Sequence, residues 1–475
     1  MSRLLTTLLA LVSLSPALLA QNKRVSPPLV FTHITVIDGT GAPPAPDMSV
    51  VIIGGRITGL GKTGSVRVPK GARVVDATGK FLIPGLWDMH AHFWNDENLL
   101  RLFVANGVTG VRDMGGKLER VRRWRQQTSG GELIGPRIVA AGLPLDGAAF
   151  ELPLLDLKPT VVTSAEGARA AVADLKKNGA DFVKVLSEVP RDAYFSAAAE
   201  AKRQSMPLAG HVPNSITALE ASDAGQKSME HLFGIGLACS SEESSLRSAI
   251  SEALAKQDWK TFTDLSNRTL DTYSEEKARA LFSRFVKNGT YNVPSLTLLK
   301  RMGYLFADDP THDPRLKYLP HSIKDKWENP NDAKKNLSAR ARDYYEREYQ
   351  RSSYIVRAMQ RSGVKLMAGT DTGDPYTYPG FTLHEELKLL VQAGLTPMEA
   401  LQAATRNPAE YLGKLDSFGT VGRGKIADLV LLNANPLEDI GNVQHVHAVV
   451  FDGKYLSKTA LEKILADVEA AATKR

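Results

Sequence analysis

The sequence predicts an α/β protein. Short apolar strands alternate with helical segments through its middle, and alternating apolar and polar residues fill both ends. Eight strand candidates lie at 83–92, 108–113, 137–141, 182–186, 208–212, 228–232, 291–295 and 365–371. Such repeated βα alternation argues for a closed parallel (β/α)8 TIM barrel, whose chemistry sits at the C-terminal strand ends. At 475 residues the chain suits a barrel of roughly 250 to 400 residues with a smaller companion.

The first element belongs to neither. Arg3 precedes an apolar run from Leu4 to Leu14, followed by Pro16 and a short stretch ending at Ala20. That is the pattern of a secretory leader, with an apolar run too short to span a bilayer. Leu18 is larger than the usual residue at its position, and an uncleaved anchor is the competing reading. No cysteine follows the apolar run, which excludes a lipoprotein. The single cysteine, Cys239, cannot form an internal disulfide. The expected destination is the periplasm or the medium.

Residues 29–74 read as short antiparallel strands between turns, and residues 425–456 have the same character. Strand sets at opposite ends suggest one small β domain built from both termini, 21–82 with 415–475, beside a barrel at 83–414. Helical segments at 166–178 and 216–224 fill gaps between barrel strands. Long, polar, helix-rich stretches at 239–289 and 300–363 follow strands six and seven. Insertions there overhang the active face and are candidate lids or specificity elements. The net charge of +7 is spread without a block of like charge, so nothing points to nucleic acid.

The strongest local motif is PGLWDMHAH at 84–92. Side chains two apart on a strand point the same way, so His90 and His92 can reach one ion. The pair His445 and His447 has the same spacing in the terminal β region, with no other ligand candidate nearby, and reads as structural or surface. His90 and His92 differ in their company. His211 ends strand five (PLAGHVP), His231 ends strand six (SMEHLFG) and Asp371 ends strand eight (MAGTD). Four imidazoles and a carboxylate at matching strand ends are hard to explain as packing. Lys184, in DFVKVL, sits at an apolar strand end, where an ammonium needs a partner or must lose its charge. A snorkelling lysine beside a carboxylate and an amine converted by CO₂ into a bridging carbamate both fit that position.

These motifs together resemble the metal-dependent amidohydrolases, particularly the imidazolonepropionase-like and Xaa-Pro dipeptidase-like branch with its arginine-type carboxypeptidase relatives. The ordered set PGLWDMHAH, GVTGVRDMGG, GADFVKV, GHVP, SMEHLFG, AGTDTG and LTPMEALQAATRNPAEYLG, leading into GTVGRGKIADLVLL, spans nearly the whole chain after the leader. The resemblance implies that both chain ends form a β-sandwich beside the barrel. It implies two divalent metal ions, zinc by default. His90, His92 and Asp371 would hold one ion, and His211 and His231 the other. A CO₂-derived carbamate on Lys184 would lie between them, and Asp371 would act as general acid and base. The implied substrate is a small amide or short peptide, such as an N-acyl amino acid, cut at its C–N bond. A mononuclear cyclic-amide hydrolase with unmodified Lys184 is the nearest alternative, and a non-catalytic relative a more distant one. His384, in FTLHEEL, reads as a residue near a helix start. Substrate identity, metal identity and homo-oligomeric state are not encoded in any motif here, including the 142–159 loop.

Two expectations are directly testable. Mass spectrometry of exported protein should show a chain beginning after Ala20, and an intact Met1 start would overturn the leader. Replacing His445 and His447 together should leave metal content and activity unchanged. Metal loss in that folded double variant would mean that the wrong pair was chosen.

Overall fold

The computed structural model describes residues 27–151, 155, 157–304, 312–327 and 338–474. The leader expected at 1–20 lies outside them, as do parts of the 142–159 loop and of the 300–363 insertion.

Both chain ends build one sheet. Strands β1 (Leu29–Val36), β2 (Ala45–Ile53), β3 (Arg56–Lys62), β4 (Arg73–Asp76) and β5 (Phe81–Pro84) come from the N-terminal side. β1 pairs antiparallel with β2, and parallel with β4 and β5. From the C-terminal side, residues Leu429–Leu432, Val446–Phe451 and Lys454–Leu456 extend the sheet antiparallel from β5. Among the described residues these strands pair as one eight-stranded sheet, not as two separate layers. The sheet curls over its own core: the Ile57 N–H donates to Lys425 O at 2.9 Å, and the Ala427 N–H to Gly55 O at 2.8 Å. The expected sandwich is therefore met in its composition from both ends, while one wrapped sheet takes the place of two stacked ones.

The run Leu429-Val-Leu-Leu432 is wholly buried because both faces of this strand are covered. Leu429 and Leu431 face the core with Phe31, Ile34 and Val50, whereas Val430 and Leu432 face the main core with Ile83, Leu86 and Val108. The period-two alternation thus glues the terminal sheet to the rest of the molecule.

The middle of the chain forms two parallel sheets. One holds β6 (Leu86–Ala91), β7 (Val108–Asp113) and β8 (Arg137–Ala140). The other runs β10 (Thr160–Val161), β9 (Leu145–Asp146), β11 (Val183–Val185), β12 (Leu208–Gly210), β13 (Gln226–Glu230) and β14 (Tyr291–Val293). The arrangement is barrel-like, but the single closed ladder that was expected is replaced by sheets joined through isolated contacts. The Asp181 N–H donates to Ala140 O at 2.9 Å, and Met367 N–H to Asn292 O at 2.9 Å. The Met89 N–H donates to Ala368 O at 2.9 Å.

The expected eighth strand, 365–371, makes bridges rather than a ladder. At Thr370 a side chain adds to these backbone bonds: the Asp88 carboxylate accepts the Thr370 N–H at 3.1 Å and the Thr370 hydroxyl at 2.7 Å. Gly369 permits the close approach, since a Cβ there would lie 2.7 Å from the His90 Cβ and 2.5 Å from Val293 Cγ1. The expected first strand is also divided. At Gly85 the chain passes from β5 in the terminal sheet to β6, and the Gly85 N–H donates to Asp428 O at 2.8 Å.

Helix Ala165–Lys177 starts at Ser164, whose hydroxyl accepts the Gly167 N–H. Helix Ala218–Asp223 starts with a reciprocal Thr217–Glu220 cap. Helices Glu243–Ala255, Trp259–Asp271 and Glu275–Asn288 fill the first long segment, and Ala339–Arg361 dominates the second. A C-terminal helix, Lys458–Ala472, follows the terminal sheet. Its Leu461 and Ile464 pack with Val104, Val449 and Phe451. Among the described residues no helix is long and apolar enough to cross a membrane.

Candidate metal centre

His90 lies near the end of β6 and His92 just beyond it, both buried, with their Nε2 atoms turned toward one carboxylate. Asp371 Oδ1 is 3.3 Å from His90 Nε2 and 3.5 Å from His92 Nε2. These three side chains form the tight ligand-type cluster found among the described residues. Lys184, buried on β11, brings Nζ to 3.3 Å from His90 Nε2 and 3.5 Å from His92 Nε2. His231 follows β13 and places Nε2 3.8 Å from Asp371 Oδ2. Its ring centroid is 4.3 Å from that of His90 and 5.4 Å from that of His211, which follows β12. All six residues singled out from sequence are therefore neighbours, with Asp371 the shared contact of three imidazoles. His231 and Asp371 reach it from left-handed backbone, at φ 59° and 56°, a conformation that costs energy in non-glycine residues.

The electrostatics favour neutral imidazoles. Burial, followed by the charge of Lys184, holds His90, His92 and His211 well below the usual histidine range. The same two causes bring His231 down to about 3. Burial also lowers Lys184 to about 8, against the opposing pull of Asp371. Neutral imidazole is the form that donates a lone pair to a metal ion.

Nδ1 contacts decide which nitrogen faces the cluster. His90 Nδ1 is 2.9 Å from Glu230 Oε2, His92 Nδ1 is 3.3 Å from Gly115 O, and His211 Nδ1 is 2.8 Å from the Ser187 hydroxyl. An N–H donated from Nδ1 to Glu230 and to Gly115 leaves Nε2 with its lone pair free, as in histidines whose other ring nitrogen is held by a carboxylate or carbonyl while they ligate a metal. His231 Nδ1 is buried without a hydrogen-bond partner among the described residues. This donor set, with neutral nitrogens converging on a carboxylate, fits a divalent cation.

Glu230 is itself held. Arg112 Nη2 lies 2.8 and 2.9 Å from its two carboxylate oxygens, and the Ser228 hydroxyl donates to Oε1 at 2.6 Å. Arg112 also donates to Met89 O at 2.6 Å and to the Tyr411 hydroxyl at 3.0 Å. Sequence reading missed Glu230, Arg112, Ser187 and Asp88. The available signal was an unmatched charge inside each of two apolar strands, the Arg of GVTGVRDMGG and the Glu of SMEHLFG. Which charge meets which is not written in either segment. His384 Nε2 is 2.9 Å from Asn106 O, His447 lies in the Val446–Phe451 strand of the terminal sheet, and His445 immediately precedes that strand.

Residues 346–456 match the amidohydrolase family. Ochratoxinase from Aspergillus niger is 24% identical over 432 residues, covering 78% of this chain and 73% of that protein. Among solved structures, bottromycin amidohydrolase superposes with a TM-score of 0.73 at 22% identity, covering 93% of this chain and 90% of that one. A putative prolidase from Bifidobacterium longum gives 0.68 at 22% identity, covering 94% and 99%. The two superpositions establish a shared fold. The family match itself covers the C-terminal part of the chain, residues 346–456.

Glu230→Gln should weaken metal binding about 10- to 100-fold, because His90 loses its anionic support. It should also destabilise the fold by about 3–5 kcal/mol, because Arg112 is left buried without its counter-charge. Metal titration against a competing chelator and denaturant unfolding read these separately; unchanged metal affinity would remove Glu230 from the centre.

Proposed function

We propose that this protein is an exported, metal-dependent amidohydrolase that cuts the C–N bond of small amides or short peptides. The observation that carries the reading is the approach of Lys184 Nζ to within 3.3 and 3.5 Å of two neutral imidazoles that also face Asp371. An ammonium gains little there, whereas a carbamate would present two anionic oxygens to cations. His90, His92 and Asp371 would hold one ion, and His211 and His231 a second, with carbamylated Lys184 shared between them. Zinc suits the imidazole-rich set, and the oxygen donors also admit manganese or cobalt. Divalent ions supply Lewis acidity, lowering the pKa of water to about 7 and polarising the amide carbonyl.

The protein's own contribution is positioning and proton transfer. Asp371, whose side chain is 15% exposed, is the carboxylate of the cluster that solvent can reach. It would accept a proton from the attacking water and deliver it to the departing nitrogen, completing a general acid–base cycle. The Nδ1 contacts of His90, His92 and His211 hold the rings in place while this happens. The leader at 1–20 supports export, and the mixed insertions overhanging the site support selection among small substrates.

One observation favours a second reading. Among the described residues, the tight cluster consists of His90, His92 and Asp371, which suits one ion with Lys184 unmodified, as in opening of a cyclic amide. Metal stoichiometry separates the two. In the dinuclear reading, Lys184→Ala should lose most activity and at least one ion per chain, because two cations then face each other without a shared anion. Acetate or propionate should restore part of the activity, and Lys184→Arg should not rescue it. A folded Lys184→Ala protein with full metal content and normal turnover would sink the dinuclear reading.

A further inference from the structure

The two insertions face each other at a second place, apart from the cluster. Helix Glu275–Asn288 presents Glu275, Ala278, Arg279 and Phe282 there, and helix Ala339–Arg361 presents Tyr354, Arg357, Ala358 and Arg361. Each set has the i, i+3, i+4, i+7 spacing of one helix face. Between the two stripes lies a groove of about 290 Å³. That is the lower edge of the roughly 300–1,000 Å³ typical of small-molecule sites. None of its lining residues belongs to the metal cluster, or to the separate cavity of about 190 Å³ lined by His231 and Glu348.

Ala278 and Phe282 are buried and give the groove an apolar floor, while Arg279, Arg357 and Arg361 are exposed along its rim. The one carboxylate among the lining residues, Glu275, accepts the Tyr354 hydroxyl. Arg279 and Arg357 each direct Nε to a main-chain carbonyl, Glu275 O at 3.3 Å and Ala393 O at 3.0 Å. Gly394 makes room for the second contact, since a Cβ there would lie 2.6 Å from Arg357 Nε. These bonds seat both guanidiniums and leave their Nη atoms for a ligand. Among the described residues, none of the three arginines has an ion-pair partner. Other cations of the same helices do: Lys277 pairs with Glu243, Arg284 with Asp223 and Arg347 with Asp271. Arg357 and Arg361 also stand four residues apart on one helix, a spacing at which like charges repel. Three guanidiniums against one carboxylate leave two positive charges in excess.

We propose that this groove binds a small organic phosphate, a monoester whose dianion meets the three guanidiniums while its apolar body rests on Ala278 and Phe282. Guanidinium forks match phosphate oxygens two at a time, and such charge-assisted bonds are roughly twice as strong as neutral ones. A phosphate monoester carries a charge of about −1.5 to −2 at neutral pH, which matches the excess. A bare phosphate ion leaves the apolar floor uncovered, and a monocarboxylate leaves one positive charge unmatched. Binding here is independent of the chemistry at the metal cluster. The occupant would bridge the two insertions, and the same helix Ala339–Arg361 carries Glu348 to the wall of the His231 cavity.

Calorimetric titration of the full-length, metal-loaded protein with phenyl phosphate, inorganic phosphate and benzoate provides the test. Phenyl phosphate should bind about 10-fold more tightly than either of the others, since only it offers both the dianion and the ring. Arg357→Ala and Arg361→Ala should each weaken its binding about 10- to 100-fold, and Arg361→Glu should abolish it. Arg361 is exposed and caps no buried group, so its variants report on the groove and not on folding. Phosphate held by the metal ions instead would survive all three substitutions. Phenyl phosphate affinity unchanged in the three variants, or no saturable binding to the wild type, would overturn the proposal. Inorganic phosphate or benzoate binding as tightly as phenyl phosphate would overturn the ligand class, and with it the proposal.

Discussion

The centre depends on a buried ion pair. Arg112 and Glu230, from β7 and β13, neutralise one another with no solvent access, and each polar atom of their two side chains is hydrogen-bonded to a neighbour. Such a pair adds little net stability compared with an apolar core, but half of it is intolerable. That asymmetry makes the pair an effective registry device. Only an arrangement that brings β6, β7 and β13 into one relation satisfies both charges, and that relation aims His90 Nε2 at Asp371. The ligand geometry is thus a consequence of how the interior solves its charge problem.

The terminal sheet acts on the same strand from the other side. β5 is held between β1 and the Leu429–Leu432 strand, and the chain then crosses Gly85 directly into β6. The two halves of a discontinuous β unit therefore anchor the segment that ends in His90 and His92. Because the Leu429–Leu432 strand of that sheet is buried on both faces, its docking on the central core is hydrophobic, broad and non-directional, while the directional work falls to hydrogen bonds at Gly85 and Asp88.

At the opposite ends of the strands the chain is less relaxed. His231 and Asp371 occupy left-handed backbone, and the segment around Asp371 gives up a regular ladder for contacts with Asp88 and Ala91. Strain at such positions persists only where surrounding contacts over-determine it. Here the Asp88–Thr370 bonds and the close approach at Gly369 do so. The insertions are built differently, from amphipathic helices that pack on the rim and on each other, and they leave the cavity at Glu348 between them.

Much of this was legible in the linear chain. Strand-end histidines at 90, 92, 211 and 231, with Asp371 and Lys184, could be chosen because ligand-type residues recurred wherever apolar strands stopped. Strand spacing indicated the barrel-like α/β middle, and period-two patterning at 29–74 and 425–456 indicated a β unit from both ends. Local patterns of this kind are written residue by residue, since side-chain direction follows from backbone periodicity. Tertiary structure decided what periodicity does not encode: that Arg112 meets Glu230 across 118 positions, that Ser187 steadies His211, that the eighth segment forms bridges, and that the terminal strands wrap as one sheet. Each of these is a long-range choice of partner for a buried polar group. The chain announces that such a group exists, but only packing determines which neighbour satisfies it.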